Sequence, residues 1–353
     1  MIPRRARALA VARDVGADGV LAADPATVTW LTGVEVDIES GPSPFALPPL
    51  AVLAGDGPPL VVASEDHAAL VAAAGCELVS YPGFGTKPLD PVGGAVRALA
   101  SAAGGRTLAT ELGALPAALA RGLSLVDGAA PLGRARAVKD PDEIDRLRGA
   151  LALCDVGQRA ARDQAEPGLA EIELWGVVRA AVERAAGERT ALLADLASGE
   201  RTGETGGPPG RRVLQEGDLV LCDLVPRRAG YWGDSCVTLA VGTASPWARA
   251  THRRVADALA RGLDSIRPGL RAGDLDELVR GDLTYAHHTG HGLGASWHEE
   301  PRIVPGGETV LEAGMVVALE PAHYAGDKGV RLEQVVLVRE DGPELLSGYA
   351  LDL

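Results

Sequence analysis

Aromatic side chains make up only 3% of this 353-residue chain, so Ala, Gly, Val and Leu must fill most of any core. Lysine is nearly absent: of 34 basic residues, only Lys87, Lys139 and Lys328 are lysines, and the formal net charge is −14. A surface that neutralises phosphates needs a basic face, which excludes nucleic acid and anionic membranes as partners. The four cysteines (Cys76, Cys154, Cys222 and Cys236) show no C-x-x-C spacing and no dense framework. They read as small buried hydrophobes rather than disulfide staples. No apolar run approaches the ~20 residues of a membrane span. The N-terminal MIPRRARALAVARDVGADG lacks an uninterrupted apolar segment, because Arg13 and Asp14 break it. A soluble, cytoplasmic protein is the expectation.

What is present fits an ordinary globule, 46% apolar and 23% charged, and long enough to predict two domains. Short apolar strands alternate with helix-like segments over the first 130 or so residues, an α/β pattern. Strands are predicted at Gly19–Ala22, Thr27–Leu31, Ala51–Ala54, Leu60–Ala63, Glu77–Tyr81 and Thr107–Thr110, with helices at Ala68–Ala74 and Pro88–Ala103. The Gly55–Asp56–Gly57 turn between two of these strands signals a hairpin. Asp140–Pro141–Asp142–Glu143 then supplies an N-cap, a first-turn proline and acidic residues, predicting a helix to about Ala165. A second helix follows from about Ala170, with Gly187 as its stop. Downstream come a Gly/Pro-rich loop at Gly199–Gly210, strands at Leu219–Asp223 and Gly230–Val241, helices at Pro246–Ile266 and Asp274–Arg280, and strands at Val316–Leu319 and Val330–Val338. The domains are expected at 1–133 and 134–353.

The chemistry-bearing residues lie in the second half. Asp223 ends one predicted strand, and Asp234 lies four residues into the next. Antiparallel pairing would bring the two close enough to chelate one ion, although strand-terminal aspartates more often cap loops. Five of the seven histidines, His287, His288, His291, His298 and His323, fall within 37 residues. His291 stands between glycines in Thr289–Gly–His–Gly–Leu–Gly294, where backbone can approach the imidazole closely. Glu320 follows an apolar strand, and Glu333 sits inside another, where an uncompensated carboxylate is costly to bury. Together Asp223, Asp234, His291, Glu320 and Glu333 suit one or two divalent ions. Oxygen-rich ligation favours Mn²⁺ or Co²⁺, with Zn²⁺ and Fe²⁺ also compatible.

These same residues carry a resemblance. GDLVLCDL (Gly217–Leu224), GYWGDSCVTLAVG (Gly230–Gly242), HHTGHGLGASWHEEPRI (His287–Ile303), VVALEPAHY (Val316–Tyr324) and VRLEQVVLV (Val330–Val338) are similar to motifs of the M24 metallopeptidases. That family includes methionine aminopeptidase, aminopeptidase P, prolidase and the related creatinase. AVKDPDEIDRLRGA (Ala137–Ala150) resembles its interdomain signature, and DPATVTWLTGV (Asp24–Val34) a strand motif of creatinase-type N-terminal domains. The resemblance implies a creatinase-like α/β domain followed by a pita-bread catalytic domain, and a homodimer. It implies that Asp223 chelates one of two divalent ions, that Asp234 and Glu333 bridge them, and that His291 and Glu320 hold the other. Its mechanism is a metal-bridging hydroxide attacking the scissile carbonyl, with Glu320 handling the proton. His287 and His298 match positions that contact substrate and stabilise the oxyanion, and Arg331 matches an arginine of the aminopeptidase P and prolidase branch.

The match departs in one loop. Ser198–Arg212 (SGERTGETGGPPGRR) holds Gly206 where the relatives usually carry a histidine, leaving Thr202, Glu204 or Thr205 as replacements. Val225 and Val237 replace a usual glycine and arginine. The expected function is hydrolysis of Xaa-Pro peptide bonds, by an Xaa-Pro dipeptidase or aminopeptidase acting on small peptides. The alternatives are a metal-dependent hydrolase of a small non-peptide amide and a non-catalytic binding protein of the same fold.

Overall fold

The computed structural model describes residues 3–36, 43–55, 57–86 and 88–353. The chain divides into two compact units, Met1–Arg136 and Ala137–Leu353. Among the described residues the first holds six strands: β1 (Gly19–Ala22), β2 (Leu50–Leu53), β3 (Leu60–Ser64), β4 (Glu77–Tyr81), β5 (Thr107–Thr110) and β6 (Ser124–Asp127). They form one sheet in the order β4-β3-β2-β1-β5-β6. β2 pairs antiparallel with both β1 and β3, the expected hairpin, while the remaining pairs are parallel. Asp56 of the turn lies outside the described residues. Every residue of β1 and β2 is buried, and Leu21, Val52, Leu99 and Leu108 meet in one apolar cluster.

The strand expected at Thr27–Leu31 is a helix, Pro25–Thr32. Asp24 caps it by accepting from the Ala26 and Thr27 amides, Pro25 opens it, and Gly33 ends it at φ 75°. Residues 26–32 are all buried, so no polar stripe marks the helical period.

The second unit opens with the expected helix Pro141–Gln164, where the Asp140 amide donates to Glu143 Oε2 at 2.8 Å. The helix Glu171–Ala186 follows and stops at Gly187, φ 78°. Strands β7 (Leu192–Ser198), β8 (Leu219–Arg228) and β10 (Ser235–Ala240) form an antiparallel sheet, β10-β8-β7. The short β9 (Tyr231–Trp232) pairs with the end of β8. β7 has no counterpart in the sequence-based reading. β8 runs five residues past Asp223, so that aspartate is central in its strand rather than terminal. A second sheet has the order β12-β11-β13-β16-β17. Its strands are β11 (Gly290–Gly292), β12 (Glu299–Ile303), β13 (Val316–Leu319), β16 (Gln334–Arg339) and β17 (Gly342–Leu345). β14 (Ala322–Ala325) and β15 (Lys328–Arg331) form a separate hairpin.

Helices back both larger sheets. Val255 and Leu259 of Pro246–Ser265, and Leu275 and Val279 of Ala272–Arg280, pack with Val317 and Leu319 of β13. On the other side, Gln158 of the helix Pro141–Gln164 reaches into β8 and β10. Its Nε2 donates to Cys222 O at 3.1 Å and Ser235 O at 3.0 Å, fixing the strands on either side of Asp223 and Asp234. Among the described residues, no helix is long and apolar enough to cross a membrane.

Candidate metal centre

The two sheets of the second unit each supply part of one buried polar cluster. In the first, Asp223 lies opposite Cys236 on β10 and opposite Asp195 on β7. Asp234 stands just before β10, in the break after β9, and is 4% exposed. Glu333 was expected inside a single strand, Val330–Val338. The structure breaks that strand after Arg331, where β15 leaves its partner β14 and β16 starts on β13. In the break, the Glu333 amide donates to Cys236 O at 2.9 Å, and Tyr349 Oη donates to Glu333 O at 2.9 Å. Carboxylate oxygens of Asp223, Asp234 and Glu333 thereby fall within 4.8 Å of one another.

The second sheet brings His291 and Glu320. His291 sits in β11 with Nδ1 donating to Gly292 O at 2.9 Å, which turns Nε2 toward Asp234 Oδ2 at 3.5 Å and Glu320 Oε1 at 3.6 Å. Burial pushes the His291 pKa down, so the ring is neutral and Nε2 carries a lone pair. Glu320, just past β13, accepts from His288 Nε2 at 2.7 Å. Burial opposes its ionisation, but that hydrogen bond and the nearby His291 and Arg331 hold its pKa at about 2.

The other three carboxyls behave oppositely. Burial lifts Asp223 to about 6 against the pull of Arg331. Burial, and then the neighbouring carboxylates, push Asp234 and Glu333 well above the ordinary range. Glu333 Oε1 is buried and, among the described residues, has no hydrogen-bond partner. An orphaned carboxylate oxygen, two crowded aspartates and an imidazole lone pair facing carboxylates fit divalent cations, which supply the positive charge the cluster lacks.

Around this cluster stand the predicted polar residues. His287 donates from Nδ1 to His288 O at 2.7 Å, and its Nε2 lies 3.3 Å from Tyr324 Oη. His298 stacks 3.8 Å from the His291 ring; loss of water and the adjoining imidazoles push its pKa down to about 3. Arg331, 3% exposed, donates to Asp223 Oδ2 at 2.5 Å, to Cys236 Sγ at 3.2 Å and to the Thr205 carbonyl. Its backbone is held by Thr238, which both accepts from Arg331 N and donates to Arg331 O. All eight candidate residues thus meet around one cavity of about 350 Å³.

Two further residues on this cavity had been assigned no role: His288, bonded to Glu320, and Asp195, on the unrecognised β7. The histidine pair in HHTGH was the available signal for the first, and the lone acid in the apolar run LLADLAS for the second. Of the three proposed replacements for the loop histidine, Thr205 lines the cavity with Gly206. Thr202 is fully buried and bonded to Gly199 O and Gly329 N.

Residues 145–340 match the model of the metallopeptidase family M24. The chain belongs to that family. A Bacillus subtilis relative of this M24 chain, YkvY, is 33% identical over 240 residues, 66% of each protein. An Xaa-Pro dipeptidase from Pyrococcus furiosus is 32% identical over 221 residues, 60% of this chain and 63% of the relative. The M24 chain therefore spans slightly under two thirds of the length of these two relatives. Its fold matches the solved Xaa-Pro dipeptidase from Bacillus anthracis with a TM-score of 0.84 at 23% identity, covering 99% of this chain and 98% of that one. The two-domain, mixed α/β pita-bread architecture expected from the motifs is borne out.

Proposed function

We propose that this M24 chain is a dinuclear-metal hydrolase of Xaa-Pro peptide bonds, of the dipeptidase or aminopeptidase type. The observation that carries the reading is the orphaned Glu333 Oε1 beside Asp223 and Asp234, a carboxylate set that is unfavourable without cations. Asp223, Asp234, His291, Glu320 and Glu333 would hold two divalent ions, Mn²⁺ or Co²⁺ ahead of Zn²⁺ or Fe²⁺. Such ions polarise a carbonyl and lower the pKa of a coordinated water.

The chain's own groups supply the rest. Glu320 is ionised with Oε1 held by His288, so Oε2 can accept a hydrogen bond from a water and pass its proton on rather than retain it. His298 is neutral and adjoins His291, where its N–H can donate to an oxygen that gains negative charge. His287, oriented by the His288 carbonyl and Tyr324, would contact the substrate. Arg331 ties Asp223 to the loop carbonyl of Thr205, so the ligand and the substrate-facing loop are positioned by one side chain.

Gly206 favours a second reading, a metal-dependent hydrolase of a small non-peptide amide, because position 206 itself offers the cavity no side chain to hold a peptide. Metal-loaded protein assayed against Xaa-Pro dipeptides, a longer Xaa-Pro peptide and a small-amide panel separates the two. Turnover of the amides alone would sink the peptidase reading. A homodimer in the cytoplasm is part of the proposal, with sedimentation velocity as the check on the dimer.

A further inference from the structure

Among the described residues, Asp195 is the one acidic residue on the cavity wall that the candidate ligand set does not use. It lies in β7 directly across from Asp223, and its side chain is 42% exposed at the rim. Its nearest cation, Arg331 Nη2, is 3.9 Å away, beyond hydrogen-bond distance, and is already engaged by Asp223 at 2.5 Å. The glycine at 206 makes room for it: a β-carbon there would collide with the Asp195 carboxylate. The acceptor oxygens of Asp195 therefore occupy the space that any larger residue at 206 would fill. Two divalent ions would offset the four carboxylate ligands, and Arg331 holds Asp223, so Asp195 keeps negative charge available at the rim.

We infer that Asp195, seated over Gly206, is a specificity-determining residue that selects substrates bearing a basic side chain. A group paired with Asp195 sits about one strand spacing, roughly 5 Å, from a group at Asp223. That is too far for the reacting carbonyl and within reach of an extended lysine or arginine side chain. The inference rests on the hydrolase reading for the word substrate, but the charge preference itself is a binding property.

Two measurements keep these apart. In the first, metal-loaded wild type and Asp195→Asn are compared on Lys-Pro and norleucyl-Pro, which share the four-carbon side chain and differ in the terminal ammonium. The wild type is expected to favour Lys-Pro in kcat/KM by about fivefold, the scale of a partly exposed ion pair, and the variant to lose that ratio. In the second, lysinamide and norleucinamide are titrated into both metal-loaded proteins and the thermal shift is followed. Lysinamide should stabilise the wild type more, and Asp195→Asn should abolish the difference. An unchanged Lys-to-norleucine ratio in the variant, equal shifts for the two amides on the wild type, or loss of bound metal from Asp195→Asn would overturn the inference. Turnover of neither dipeptide, with the amide preference intact and dependent on Asp195, would sink the peptidase reading and leave the cation site standing.

Discussion

Replacing Glu333 with glutamine should make the metal-free protein more stable at pH 8 and the metal-loaded protein less so. The reasoning starts from Asp223, whose carboxyl is lifted from its ordinary 3.8 to about 6. That gap is worth about 3 kcal/mol. A carboxyl whose folded pKa lies above its unfolded one contributes stability while protonated, below about pH 4. The contribution is lost as pH rises through the folded value. For Asp223 the loss falls between about pH 4 and pH 6, and Asp234 and Glu333, raised in the same direction, extend it upward. Glutamine cannot ionise and removes one negative charge from beside Asp234 and Asp223. At pH 4 the variant and wild type should unfold at similar temperatures, because a protonated Glu333 and an amide are alike in charge. At pH 8 in chelator the variant should gain about 1–4 kcal/mol, the range found when buried charges are replaced. For a folding unit of this size that is roughly 2–4 °C of Tm per kcal/mol. With saturating Mn²⁺ the order should reverse, because the wild type gains binding energy that the variant lacks. Thermal unfolding followed by circular dichroism, from pH 4 to pH 8 with chelator and with Mn²⁺, tests each step. A flat wild-type profile in chelator, or a variant no more stable than wild type at pH 8, would refute the reasoning.

Asp234→Asn should abolish metal-dependent hydrolysis and reduce bound metal by elemental analysis; full retention of both would remove Asp234 from the ligand set. Arg331→Ala should cost about 3–5 kcal/mol in denaturant unfolding of the metal-free protein, because it strips the cation from a buried carboxylate. A loss under about 1 kcal/mol would show that the Arg331–Asp223 contact is energetically idle. Lys139 and Glu299 form a fully buried pair at 2.7 Å. Lys139→Met alone should therefore destabilise by about 3–5 kcal/mol, while Lys139→Met with Glu299→Leu should recover most of it. Equal losses in the single and double variants would contradict that coupling.

One candidate ligand was legible in the sequence because a carboxylate inside an apolar strand has few explanations. Glu333 stands out in VRLEQVV for that reason, whereas Asp223, read as the end of its strand in LVLCDL, stood out through the motif resemblance. Strand limits were less legible. The apolar pattern runs unbroken through Val330–Val338, yet the pairing partner changes at Leu332–Glu333, and partner exchange leaves no mark in hydrophobicity. The helix Pro25–Thr32 was hidden by its β-branched residues and complete burial, although Asp24–Pro25 and Gly33 bracketed it with capping signals. β7 escaped notice because LLADLAS suits helix and strand equally. Missing β7 hid Asp195, whose position next to Asp223 depends on strand register.

The cluster joins residues far apart in the chain, with Arg331 and Asp223 separated by 108 positions. Contacts of such span form only after the intervening chain has paid its loop-closure entropy, and they are slow to appear. Neither sheet can present the candidate ligand set by itself: Asp223 lies in β8 and Asp234 just before β10, while β11 holds the imidazole and Glu320 follows β13. Metal capture at the proposed set would therefore wait for the two sheets to meet. A chain with one sheet misassembled would hold no complete site, so metal uptake would report on tertiary assembly as well as on catalytic readiness.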